Sequence, residues 1–222
     1  MDFAQRTLSF SKETVTKWLK VLLPFQIAVL ILSLFNHIHH GNSLCQWLQW
    51  LCNIGIIVCL FGLTTAGRRY MTAAILGSVQ LVLSMIERGI QAYVIWMTIL
   101  EISSPDNMQQ FNEIAAALDL AAMIAGIVYT YQLYHAHGDL VKDMDALLSK
   151  KWYRLFGWSL AIGILKTVAG MIFSTIYSNL NINSTALISI FYTLSSIPGQ
   201  IIIMISILYL YRTTQIIQNK ET

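Results

Sequence analysis

Four ionisable residues stand deep inside apolar runs of this chain: Glu87, Arg88, Asp119 and Lys166. An unpaired charge at the centre of a bilayer costs ~3 kcal/mol or more. Such groups are therefore held in pairs or reached by water, and they commonly mark the path of an ion, a proton or a charged solute. Two carry each sign, so the set is formally neutral. Counting inward from the flanking polar segments puts all four near one depth. The expected pairing is Glu87 with Lys166 and Arg88 with Asp119; the opposite pairing is the alternative. A neutral cluster of this kind can equally act as structural glue that fixes helix register.

Uncharged polar residues repeat the pattern. Gly77, Gln80, Ser84, Glu87 and Gln91 recur at helical spacing, and so do Ala115, Asp119, Ala122, Gly126 and Thr130. Ser159, Gly163, Lys166, Gly170 and Ser174 form a third stripe, and Ser189, Thr193, Ser196 and Gln200 a fourth. Shorter ones run through Gln46, Gln49 and Asn53, and through Gln26, Ser33 and His37. Each lies on one helix face. Lipid puts no premium on such faces, so they are expected to point inward, where small residues let helices approach and polar groups can bond. Asn53, Ser196 and Gln200 are expected to add neutral hydrogen-bonding groups to the charged centre.

A break is expected at the same depth in the last run. Pro198 has no N–H and frees the carbonyl of Leu194, and Gly199 loosens the turn further. A broken helix at membrane depth is tolerated where it is buried or lines a cavity. Transporters place substrate and ion sites at such breaks. Pro198 and Gly199 are the expected hinge.

The elements that must hold these residues follow from composition. Of 222 residues, 56% are hydrophobic and only 11% charged, whereas a soluble domain carries about 25% charged residues. A span needs about 20 mostly apolar residues. Six runs qualify: 19–38, 44–63, 73–100, 111–134, 155–177 and 185–210. The fold class is an all-α membrane protein, a six-transmembrane-helix bundle in which residues 1–222 form one polytopic domain. Gly89 is weak punctuation in the long third run, which is expected to be one helix. Basic residues precede the first run, but no small-x-small cleavage site follows it, so an uncleaved first helix is expected.

Twelve of the 14 Lys and Arg residues lie between or beyond the runs or, as Lys20 does, at the very edge of one. Arg6, Lys12, Lys17 and Lys20 precede the first. Arg68 and Arg69 follow the second, Lys142, Lys150, Lys151 and Arg154 follow the fourth, and Arg212 and Lys220 end the chain. The other three connections carry none. The excess of Lys and Arg on cytoplasmic loops then puts both termini inside. Ala4, Leu8, Ser11, Val15 and Trp18, and Leu140, Met144, Leu147 and Leu148, suggest short amphipathic interfacial helices before the first and fifth spans.

Other groupings carry less. His37, His39 and His40, with Glu101 or Glu113, have ligand types for a metal, but leave its presence open. His135, Asp139, Asp143 and Asp145 make an acidic rim that could hold a divalent cation and a diphosphate. Cys45, Cys52 and Cys59, seven apart on one helix, cannot bridge one another at roughly 10 Å spacing. Metalloprotease, serine-hydrolase and P-loop motifs are missing. No basic, aromatic surface suggests nucleic acid, and no motif specifies a cofactor. The lipid bilayer is the expected surrounding, in the plasma membrane, with a small solute or ion and partner subunits as further expected contacts.

The expected function is transport or sensing of a small solute, ion or proton through the polar centre. The alternative is a membrane scaffold or accessory subunit of a larger complex, and the third reading is a membrane-embedded enzyme. The orientation is open to direct test. With the native cysteines replaced, Asn107→Cys and Asn181→Cys should label only from outside the cell, and Asp145→Cys only in permeabilised membranes. Labelling of Asn181→Cys from the cytoplasm would overturn the six-span arrangement.

Overall fold

The computed structural model describes residues 3–38, 43–100, 105–179 and 185–219. They form six helices: α1 (Phe3–Ile38), α2 (Ser43–Gly62), α3 (Arg68–Ile99), α4 (Pro105–Val141), α5 (Ala146–Asn179) and α6 (Thr185–Asn219). A 3-10 turn, Leu63–Ala66, joins α2 to α3. All six helices are long and apolar enough to cross a membrane. At 32 residues, α3 is about 48 Å long, so it overhangs a hydrocarbon core of about 30 Å.

The third run is one helix, as expected, and Gly89 does not interrupt it. Two expectations meet a different structure. The segment before the first span is not a separate helix, because α1 runs unbroken from Phe3 through Pro24 to Ile38. Leu140 to Leu148 is not one helix either. A turn at 142–144 ends α4 and Asp145 starts α5, its Oδ1 accepting the Leu148 N–H at 2.9 Å. That is an N-cap, which satisfies a donor the helix cannot. Likewise α6 stays helical through Pro198.

The helices pack in chain order, with α1 returning against α6 and α4 reaching across to α6. Glycines set the close approaches. A Cβ on Gly55 would lie 2.5 Å from the Phe25 ring, and one on Gly62 would strike Trp18. The α1–α2 contact thus rests on two ring-over-glycine seats. Tyr129 covers Gly77, Gln80 covers Gly126, and Tyr153 covers Gly138. Small residues serve the same purpose along α3 and α4, where Ala73, Ala74, Ala115, Ala122 and Ala125 are buried.

Burial is unequal along the bundle. The core gathers at the end that carries both termini, around Leu19, Leu22, Leu60, Leu63, Tyr70, Trp152 and Leu210. Trp152 on α5 meets α4 and α6. Its Nε1–H donates to Thr213 Oγ1 on α6 at 3.1 Å, and its ring is 4.7 Å from that of His137 on α4. His137 Nδ1 in turn shares a 2.8 Å hydrogen bond with the Tyr70 hydroxyl on α3. Towards the other end α5 parts from this core, and no described residue from 157 to 173 is buried.

These seats make a specific expectation. Gly62→Ala should lower stability by roughly 1–3 kcal/mol, because Trp18 must leave its seat. Gly157→Ala, where an added Cβ meets nothing within 4 Å, should leave stability unchanged or raise it by up to about 1 kcal/mol. Thermal unfolding in detergent measures both. Equal effects would show that the α1–α2 seats do not limit packing.

Candidate functional site

Where the helices part, polar faces line a cavity of about 330 Å³ between α1, α2, α3 and α4. From α2 come Gln46, Gln49, Trp50 and Asn53; from α3, Gln80, Ser84 and Arg88; from α1, Asn36. Leu81 adds an apolar patch, and Ile56, Ile57, Gly77 and Tyr129 complete the wall nearer the termini. The Tyr129 ring lies over Gly77, whose absent Cβ leaves it room. Behind them Cys59, Leu60, Ala73 and Ala74 are buried, so that end is shut.

The arrangement follows from helix periodicity. Gln46, Gln49 and Asn53 occupy one face of α2. The rest of that helix shows Leu44, Trp47, Leu51, Ile54, Val58 and Phe61, all exposed in the isolated protein. This is the pattern of a membrane helix with lipid on one side and a polar interior on the other. Gln80 can lie along α4 because Gly126 has no side chain.

Arg88 is the charged residue of the wall. Its Nη1 donates to Gln46 Oε1 at 3.1 Å, and its guanidinium carbon lies 5.9 Å from the Trp50 ring centre. A cation over an aromatic face is favourable, but neither contact supplies a counter-charge. Glu87, one residue away, points elsewhere and accepts from Gln91 Nε2.

The expected four-residue cluster does not assemble. Neither Glu87–Lys166 nor Arg88–Asp119, nor the opposite pairing, comes within ion-pair distance; the ion pair found among the described residues is Arg69–Asp139, at 2.8 Å. Asp119 and Lys166 are exposed. Asn53 does line the cavity, whereas Ser196 and Gln200 do not. Ser196 is buried and donates to the Thr193 carbonyl at 2.8 Å. Gln200 Nε2 donates to Ser33 Oγ at 2.6 Å, joining α6 to α1 close to Pro198 and Gly199.

The other groupings also find places. His39, His40 and Glu101 lie outside the described residues, as does the His37 side chain. Glu113 accepts from Gln109 at 2.9 Å. Among the described residues no three metal-ligating side chains gather. The acidic rim is engaged in structure: Asp139 binds Arg69 and accepts from the Tyr153 hydroxyl at 2.6 Å, while Asp145 caps α5.

Asn36, Trp50 and Tyr129 escaped the sequence reading. Asn36 lies one turn beyond Ser33, and adding it to that stripe would have found it. Trp50 and Tyr129 gave no signal apart from the apolar runs that contain them. No family model, no curated protein and no solved structure matches the chain.

Proposed function

We propose that this chain is a multi-pass integral membrane protein of the plasma membrane, with both termini in the cytoplasm. It takes a small polar solute into the α1–α4 cavity as the binding step of transport or sensing. One observation carries the reading: amide, hydroxyl and guanidinium groups line a cavity inside segments that are otherwise apolar. Polar groups in a bilayer are costly unless they bond one another or meet water or a ligand. Here they face a space large enough for a small molecule.

With its wall shut near the termini, the cavity receives its occupant from the opposite, outer end. Sensing needs no more than this. Transport needs Ile57 and Tyr129 to part, and the Pro198-Gly199 step in α6 supplies a place for that bundle to bend. Arg88 and Asn53 take the binding role. Glu87, Asp119, Lys166, Ser196 and Gln200 stand outside this conformation of the site.

The scaffold reading keeps one observation of its own. The outer half of α5 touches α6 through the Phe173–Phe191 stack but has no buried residue from 157 to 173 and exposes Lys166, so a partner subunit offering an acidic or polar face would cover it.

Water access decides between them. In a cysteine-free background, Asn53→Cys should react with a small membrane-impermeant thiol reagent, because thiolate forms readily only where water reaches. Ile54→Cys, at the same depth on the lipid side, should stay silent. If both folded variants are silent the cavity is dry, and the scaffold reading replaces the binding one.

A further inference from the structure

We infer that the α1–α4 cavity selects a small anion of the carboxylate type, with Arg88 as its charge partner. This rests on the binding reading above and adds the chemical class of the occupant. Among the wall residues Arg88 alone carries a formal charge, and no aspartate or glutamate faces it there. Its neighbour Glu87 is turned away, and bonded to Gln91. Arg88 is exposed in the isolated protein, so in a bilayer the wall presents a net positive charge bordered by a low-dielectric slab. That attracts anions and repels cations far more strongly than the same charge would in water.

The contacts Arg88 makes leave it ready for such a partner. Gln46 accepts from one nitrogen, and the Trp50 ring stands beside the guanidinium. A guanidinium has five N–H donors in a rigid fork, and two of them match the two oxygens of a carboxylate. The amides of Gln49 and Asn53 line the same cavity and offer further donors to its occupant. At about 330 Å³, the space falls at the small end of ligand pockets, which favours a compact organic anion over a lipid or a nucleotide.

The charge of a thiol reagent reads the potential directly. Asn53→Cys in the cysteine-free chain is treated with sulfonatoethyl methanethiosulfonate, an anion, and with its trimethylammonium analogue, a cation. Rates are divided by those for a small thiol in solution. The anion-to-cation ratio should exceed the solution value by about 10-fold or more. It should persist in Arg88→Lys and collapse towards the solution value in Arg88→Gln. Propionate should slow the modification, and choline should not; the propionate effect should vanish in Arg88→Gln.

A ratio that ignores Arg88→Gln, with both reagents reacting, overturns the anion assignment and leaves the cavity reading standing. If neither reagent reacts, both readings fall together. Should Arg88→Gln not fold, the Arg88-containing chain decides: a ratio at the solution value without propionate protection overturns the assignment.

Discussion

The packing of Trp152 is the constraint on which the rest of the bundle depends. Its indole stacks beside His137, bonds Thr213 and touches the rings of Tyr134 and Tyr209. Through the Tyr70–His137 hydrogen bond, α3 joins the same knot. Four helices are thereby tied at one end by aromatic area and by hydrogen bonds whose partners have no water to turn to. Helices in lipid gain little from apolar burial against one another, so a directional, polar-tipped aromatic cluster is an effective way to hold them. The α1–α2 pair joins this end through Leu19, Leu22, Leu60 and Leu63.

A bundle tied at one end is free to open at the other. That freedom leaves the polar faces of α2 and α3 around a space instead of collapsing them onto each other. It also leaves α5 without a buried residue from 157 to 173, with Lys166 on α5 and Asp119 on α4 exposed. The cavity and the stranded charges are two results of one distribution of packing. The small residues of α3 and α4 keep those two helices together along their length, and Arg88 stands on the stretch of α3 that they hold in place.

Much of the architecture was legible in the residues. Six apolar runs became six helices, and the third remained whole despite Gly89. The stripes through Gln46, Gln49 and Asn53 and through Gln80 and Ser84 became the cavity wall, because a helix face is a matter of spacing alone. What spacing does not contain is the azimuth of one helix against the next. Glu87 and Arg88 are adjacent in sequence, yet a 100° step sends one to Gln91 and the other to the cavity. Spacing likewise does not show that Asp119 and Lys166 face outward from the bundle. Nor does spacing show that His137, beyond the end of an apolar run, bonds a tyrosine hydroxyl and is a fully buried core residue.

The two ring-over-glycine seats between α1 and α2 have a mechanical meaning. Trp18 and Phe25 are seven residues apart, as are Gly62 and Gly55, and the helices run in opposite directions, so both rings engage at one register. Sliding by a single turn would put each ring against a residue with a side chain. The next register that seats even one ring is seven residues away, a travel of about 10 Å. The α1–α2 pair therefore behaves as a toothed joint. It can rock about its seats but cannot creep along them, so motion between α1 and α2 is a tilt rather than a piston stroke.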